Sequence, residues 1–340
     1  MYNIQPLLSN CPRQEIMPDT SKTYSLEDFL RSSGWVRPPF SVSFLAAGEY
    51  NENFLVENEA GAFVLRLNHG SQLGLGRKQI EYEFAVLKAL ESTGVTPAPL
   101  YCEPDPDNIE GGILLMEFVP GRPLDYRQDM AAAAEIFARV HAQPVPEGLI
   151  LQASPIQDIS RECWELLHRY PDHPLVEEKR NILSYFKIVQ QLAEETKDLF
   201  ATERLCIVNT EVNSNNFLIG PNRACLVDWE KAVLSQPYQD LGHFLVPTTT
   251  LWKSDTLYSP EDKKTFLQLY RQAAGLDLPL EELVFKTTVL EKTILLRALS
   301  WCFMAYYEYT QTERPIQNQD TFARIKHYLG DIQWILSSVE

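Results

Sequence analysis

Between residues 41 and 68 apolar and polar positions alternate in three short runs: Val42-Ser-Phe-Leu45, Asn53-Phe-Leu-Val56 and Ala62-Phe-Val-Leu-Arg-Leu67. Gly and Asn residues separate them, a pattern that predicts strands joined as a meander or as hairpins. From 77 to 93 the apolar period becomes helical, with Ile80, Phe84, Leu87 and Leu90 on one face. A strand pair is expected around 99–104 and 112–118, closed by the turn signal Pro120-Gly121. Beyond about residue 122 the pattern is mostly helical: an Ala-rich helix from Met130 to His141, further helices within 155–200, and more over 281–312 and 318–338. Two short apolar runs, Leu205-Cys-Ile-Val208 and Ala224-Cys-Leu-Val227, read as buried strands. Upstream, Ser25-Leu-Glu-Asp28 resembles a capping box opening a short helix. Residues 1–24 are polar, Pro-containing and aperiodic, and read as a loosely held arm. The expected organisation is α+β: an arm and short helix over 1–40, a β-rich part with one helix over 41–120, and a larger helical part over 121–340.

A chain of 340 residues exceeds one ordinary core and suits two lobes. Its 45% apolar and 22% charged residues are those of a soluble globular protein. The formal net charge of -16 argues against nucleic-acid binding, which needs clustered Lys and Arg, and against docking on an anionic membrane. It is compatible with a cationic small substrate. The six cysteines form no CxxC pair and no zinc-spaced cluster, so buried free thiols in a reducing compartment are expected. The first 30 residues have no basic stretch followed by an apolar core, and the apolar segment Ile294–Tyr307 is interrupted by Arg297 and too short to span a bilayer. The expected location is the cytoplasm. The sequence assigns no oligomeric state.

The chemistry-bearing stretch is Val208-Asn-Thr-Glu-Val-Asn-Ser-Asn-Asn-Phe-Leu-Ile219, followed by Cys225-Leu-Val-Asp-Trp-Glu-Lys231. A strand leads to Glu211, Asn216 lies five positions on, and after a hairpin an apolar run ends in Asp228. Phosphoryl transfer uses such parts: a carboxylate to orient the attacking hydroxyl and take its proton, and an Asn and an Asp to hold magnesium on a triphosphate. Oxygen ligands suit that hard cation.

This stretch resembles the His-Gly-Asp-x-x-x-x-Asn and Ile-Asp-Trp segments of the aminoglycoside phosphotransferase and choline kinase family. The resemblance runs in consistent order over roughly residues 43–245. It implies a two-lobed, protein-kinase-like fold with a small antiparallel β-rich N-lobe and a larger, mainly helical C-lobe. Asn216 and Asp228 match the magnesium ligands. Glu211 stands where the family has its catalytic Asp, and Asn209 where it has His. Glu is one methylene longer, which carries its carboxylate about 1.5 Å further out, and misplacement by about 1 Å can cost on the order of 100-fold in rate.

The same resemblance assigns the nucleotide-binding positions. Gly48-Glu-Tyr-Asn-Glu-Asn-Phe-Leu55 resembles the family's nucleotide-covering hairpin, so Gly48, Asn51 and Asn53 are candidate phosphate contacts. Arg66, in Val64-Leu-Arg66, stands where kinases place a cation for the α- and β-phosphates, and its guanidinium can bind phosphate oxygens as a fork. The helical acid expected to orient it is Glu83, with Glu81 as the alternative on a different helix face. Leu114-Leu-Met-Glu-Phe-Val-Pro-Gly121 resembles a kinase hinge, in which backbone groups near Glu117 and Val119 would pair with an adenine edge. Asp240, in Gln236-Pro-Tyr-Gln-Asp-Leu-Gly242, is expected to hold the catalytic-loop backbone through its amides, and His141 to be packed and hydrogen-bonded. The stretch 246–255, with three threonines and Trp252, reads either as a pocket wall or as a plain loop.

The resulting expectation is a small-molecule kinase that uses ATP or GTP with magnesium and phosphorylates a hydroxyl of a small substrate. Aminoglycosides, choline, homoserine, methylthioribose and fructosamine stand as acceptor types. The alternative, prompted by Asn209 and Glu211, is a kinase-like protein that binds nucleotide or ligand without transfer.

Overall fold

A computed structural model describes residues 20–48, 50–311 and 318–339. The chain divides into two compact units: the described residues up to Leu124 together with Asn216–Ala232, and Asp125–Asn215 together with the residues from Val233 onward.

The first unit opens with helix α1 (Thr20–Ser33). The expected capping box does not start it. Ser25 lies inside the helix and its hydroxyl donates to the Ser21 carbonyl, one turn back. Residues 20–24 are therefore helical, and the rest of the expected arm, with Cys11, lies outside the described residues. Strands β1 (Phe40–Ala47), β2 (Asn51–Asn58), β3 (Gly61–Asn68), β4 (Pro99–Glu103) and β5 (Gly112–Glu117) form an antiparallel sheet in the order β1-β2-β3-β5-β4. Successive strand residues point to opposite faces. Phe54, Val56, Leu65, Leu67, Ile113 and Leu115 thus form one core with Leu26 and Leu30 of α1. Arg66 falls on the other face, toward helix α2 (Gln79–Leu90), which short 3-10 turns flank on both sides. Gly112 makes room for that helix, since a Cβ there would lie 2.4 Å from Ile80.

The unit is completed by β6 (Arg122–Pro123), β8 (Phe217–Ile219) and β9 (Ala224–Leu226), a small sheet in the order β6-β8-β9. Polar clips bind this late hairpin to α2 and the segment after it. The Leu226 amide donates to the Val95 carbonyl at 2.8 Å. Tyr82 Oη donates to the Ala232 carbonyl at 2.6 Å, and Arg223 Nε to the Gly94 carbonyl at 2.8 Å.

In the second unit, helices α3 (Met130–His141), α4 (Pro155–His168), α5 (Val176–Glu195), α6 (Tyr238–Leu245), α7 (Pro247–Thr250), α8 (Pro260–Ala273), α9 (Leu280–Gln311), α10 (Gln319–Gly330) and α11 (Ile332–Ser337) accompany one strand pair, β7 (Cys206–Val208) with β10 (Val233–Ser235). Helix α9 has 32 residues, about 48 Å at the α-helical rise. Helices α4, α5, α6, α8 and α10 all pack on it. Its buried residues, from Leu283 through Leu290, Leu295, Leu299 and Phe303, are spread around the helix, as expected of a central element. No helix among the described residues is long and apolar enough to cross a membrane. Cys163, Cys206, Cys225 and Cys302 are buried free thiols and Cys102 is partly buried. Burial, with nearby Glu81 and Glu103, pushes Cys102 up to about 12.

Helices α6 and α9 approach closely at Gly242, where a Cβ would sit 2.7 Å from the Glu291 main-chain nitrogen. Main chain cannot swing aside as a side-chain tip can. Gly242→Ala is therefore expected to cost about 1–3 kcal/mol by overpacking. A lowered denaturation midpoint with unchanged slope supports this, and an unchanged midpoint contradicts it.

Candidate functional site

The first unit centres its polar groups on Arg66. Its Nη1 donates to Glu83 Oε1 at 2.5 Å and to Asp228 Oδ1 at 3.1 Å. Its Nε donates to Asn53 Oδ1 at 3.1 Å. Arg66 stands on β3, paired across the sheet with Asn53 and Leu114. Glu83 lies on the buried face of α2 that also carries Ile80, Leu87 and Leu90, whereas Glu81 is exposed. The helix face thus selects Glu83 over Glu81. Burial opposes the Arg66 charge, but the carboxylates of Glu83, Asp228 and Glu230 outweigh it and hold its pKa above the ordinary value. Burial also lifts the pKa of Glu83, against the pull of Arg66 and with the like charge of Asp228. A main-chain hydrogen bond from Trp229 offsets part of that lift.

The β8–β9 hairpin brings Asn216 and Asp228 to one end. Phe217 pairs with Leu226, and the Val227 amide donates to the Asn216 carbonyl at 2.8 Å. Asp228 has left-handed backbone, φ 65°, a conformation a non-glycine residue keeps only where its surroundings impose it. Trp229, fully buried beside it, donates its Nε1–H to the Leu226 carbonyl at 2.9 Å. Asp228 itself stays partly open, with its side chain 29% exposed. A carboxylate and an amide at one hairpin end form an oxygen donor set that fits magnesium, which needs few protein groups.

Of the hairpin positions expected to contact phosphate, Gly48 and Asn51 are otherwise engaged. The exposed Gly48 gives its amide to the Asn51 carbonyl at 2.8 Å, closing a turn. Asn51 is buried. Its Nδ2 donates to Glu230 Oε2 at 2.5 Å and its Oδ1 accepts from Asn68 Nδ2 at 2.8 Å. Gln79 Nε2 donates to the Glu230 carbonyl at 2.7 Å. Asn51 and Asn53 therefore brace the residues around Asp228 and Arg66. Glu117 ends β5, and its amide is taken by the Ala98 carbonyl. Its carboxylate binds Arg223 Nη1 at 2.6 Å and the Ala98 amide at 3.1 Å, so its side chain is a clip. Val119 is buried just beyond the strand.

In the second unit the loop after β7 hangs on Asp240, which is fully buried in α6. Oδ2 accepts the Asn209 amide and Oδ1 the Thr210 amide, each at 2.9 Å. This is the backbone role expected of Asp240. His141 supports it, with Nε2 3.3 Å from Asp240 Oδ2 and Nδ1 3.0 Å from Tyr270 Oη. Two features were not anticipated. Asn209 Oδ1 accepts the Glu211 amide at 2.9 Å, and Thr210 is left-handed at φ 64°. The side-chain acceptor two residues before Glu211 is an Asx-turn signal readable in Asn209-Thr-Glu, and Thr210 occupies the Gly position of the family's His-Gly-Asp. The stretch 246–255 is neither a loop nor an open wall at its threonines. Thr248, Thr249 and Thr250 are buried in the one-turn α7, and the carbonyls of Thr248 and Thr249 accept from Tyr328 and Tyr126.

Removing one partner of a buried ion pair leaves an uncompensated charge, at about 3–5 kcal/mol. Arg66→Met is expected to destabilise by that order, and adding Glu83→Leu should recover part of the loss. Urea unfolding of the two variants checks this. A double variant no more stable than Arg66→Met would contradict the coupling.

The model of a phosphotransferase enzyme family matches residues 41–283. A curated relative, acyl-CoA dehydrogenase family member 11 of Pongo abelii, is 24% identical over 256 residues, which cover 68% of this chain and 32% of that protein. The chain thus spans about a third of that relative's length. Among solved structures, an ethanolamine kinase of Plasmodium vivax matches with TM-score 0.63 and 12% identity, covering 99% of this chain and 94% of that one. A spectinomycin phosphotransferase in complex with ADP and spectinomycin matches with TM-score 0.56 and 12% identity, covering 88% and 92%. Such identities bear on fold, which is the mixed α+β, protein-kinase-like one. The family match spans well over half of the chain, so the protein belongs to this phosphotransferase enzyme family.

Proposed function

We propose that this protein is a small-molecule kinase that transfers the γ-phosphoryl group of ATP or GTP to a hydroxyl of a small acceptor, with magnesium, in the cytoplasm. The observation that carries this reading is the Arg66 guanidinium bonded to both Glu83 and Asp228. Kinases need a strand-borne cation paired to a helical acid, together with an acid for the metal. All three side chains are present in one connected network. Asn216 and Asp228 would hold magnesium, which would supply positive charge against the charge developing in transfer. Arg66 would steady the α- and β-phosphates, and main-chain groups of Glu117 and Val119 would pair with the base. Asn51 braces Glu230 and Asn68, while Asn53, which accepts from Arg66 through Oδ1, would offer its Nδ2 to phosphate.

Glu211 would accept the proton of the acceptor hydroxyl as its oxygen bonds to the γ-phosphorus, while the bond to the β–γ bridging oxygen breaks and the diphosphate departs. Asp and Glu are both ionised at neutral pH, so the substitution alters reach and leaves the charge in place. The net charge of -16 admits a cationic acceptor. The neighbours named for spectinomycin and ethanolamine suggest hydroxylated amines as the first class to try.

A second reading, nucleotide binding without transfer, is favoured by Asn209 and Glu211 standing in place of His and Asp. Turnover of ATP and of GTP with magnesium, against spectinomycin, ethanolamine, choline and water as acceptors, separates the two. Transfer should occur in the wild type and fall by on the order of 100-fold or more in Glu211→Gln. Equal turnover in both proteins would remove Glu211 from the mechanism. Magnesium-dependent binding with no turnover would favour the second reading.

A further inference from the structure

Three consecutive amides in the loop after β7 each donate to a side-chain oxygen. Those of Asn209 and Thr210 go to the two oxygens of Asp240, and that of Glu211 goes to Asn209 Oδ1. Asp240 is held in turn by His141, and His141 by Tyr270. Asn209 and Asp240 have no exposed surface and Thr210 very little, so this brace is dry, whereas Glu211 is only half-buried. Between the second and third bonds the chain turns through a left-handed Thr. A β-branched residue adopts that conformation only where neighbours on both sides impose it. Asp240 imposes it from one side. The Asn209 side chain closes the other, as an Asx turn on Glu211.

From this geometry we infer that Asn209 is a positioning residue: its side-chain oxygen pins the Glu211 amide and so sets the direction in which the longer Glu211 carboxylate leaves the loop. The inference rests on the proposed role of Glu211. It accounts for two departures together, because a carboxylate one methylene longer needs a differently directed Cα–Cβ bond to deliver its oxygens to a hydroxyl. A turn with a side-chain acceptor at position 209 supplies a fixed direction. Ser at 209 would keep an oxygen acceptor, more weakly, and Ala would remove it.

The test measures kcat and the KM for ATP with magnesium, using whichever of spectinomycin, ethanolamine, choline or water the wild type turns over. The proteins are wild type, Asn209→Ala, Asn209→Ser, Glu211→Gln and the double variant Asn209→Ala/Glu211→Gln. Asn209→Ala should lower kcat by about 10- to 100-fold with the KM for ATP within about two-fold. Asn209→Ser should recover part of kcat. In the Glu211→Gln background Asn209→Ala should add nothing further, since a residue acting through Glu211 has nothing left to position. A wild-type kcat in folded Asn209→Ala, or the same fractional loss in both backgrounds, overturns the inference and leaves the reading of Glu211 standing. Unchanged turnover in Glu211→Gln, or none in the wild type, overturns that reading and this inference with it. Hydrogen exchange at the Glu211 amide of the wild type needs no variant. Slow exchange is expected, and exchange at the rate of an open loop overturns the brace itself.

Discussion

The buried guanidinium of Arg66 is the constraint on which the first unit's chemistry depends. A charge without water must be matched on several sides or it destabilises the fold. Here Glu83, Asp228 and Asn53 provide the match, so β2, β3, α2 and the β8–β9 hairpin are joined through one side chain. That requirement explains why residues 216–232, late in the chain, belong with residues before 124. It also explains why Asp228 keeps a left-handed backbone. Asn51 and Gln79 extend the same network to Glu230, fixing the chain on the far side of Asp228.

The second unit solves a parallel problem with hydrogen bonds to main chain. Asp240 gives its oxygens to two loop amides and keeps His141 as a third partner. Carboxylate bonds to amides are charge-assisted and short, which suits a loop that must not drift. The close approach of α6 to α9 at Gly242, two residues on, fixes the helix that carries Asp240. At Gly242 the two helices leave no room for a methyl group.

Much of this was readable from local pattern, and the exceptions share a cause. The period-two runs located β1, β2 and β3, and the Ala-rich repeat located α3 at Met130–His141. The family resemblance favours Glu83 over Glu81, and the structure adds that Glu83 shares a buried helix face with Ile80 and Leu87. The bracing role of Asn51 could not be read, since its partner Glu230 lies 179 positions away and no local rule links them. The start of α1 was misplaced because a Ser-x-x-Asp pattern also occurs inside a helix, where the Ser hydroxyl bonds the preceding turn. The left-handed Thr210 contradicts its own propensity and is imposed by contacts made elsewhere in the chain. Local periodicity thus reported the elements, while long-range polar pairing decided which residues brace and which remain open to a ligand.

Asp228, held by Arg66, is proposed as the residue through which magnesium supports nucleotide binding. Calorimetric titration of ATP into wild type and Asp228→Asn, each with and without magnesium, addresses it directly. Magnesium should tighten ATP binding in the wild type at least ten-fold, about 1.4 kcal/mol, and have little effect in the variant. Equal magnesium dependence in both proteins, or none in the wild type, would contradict it.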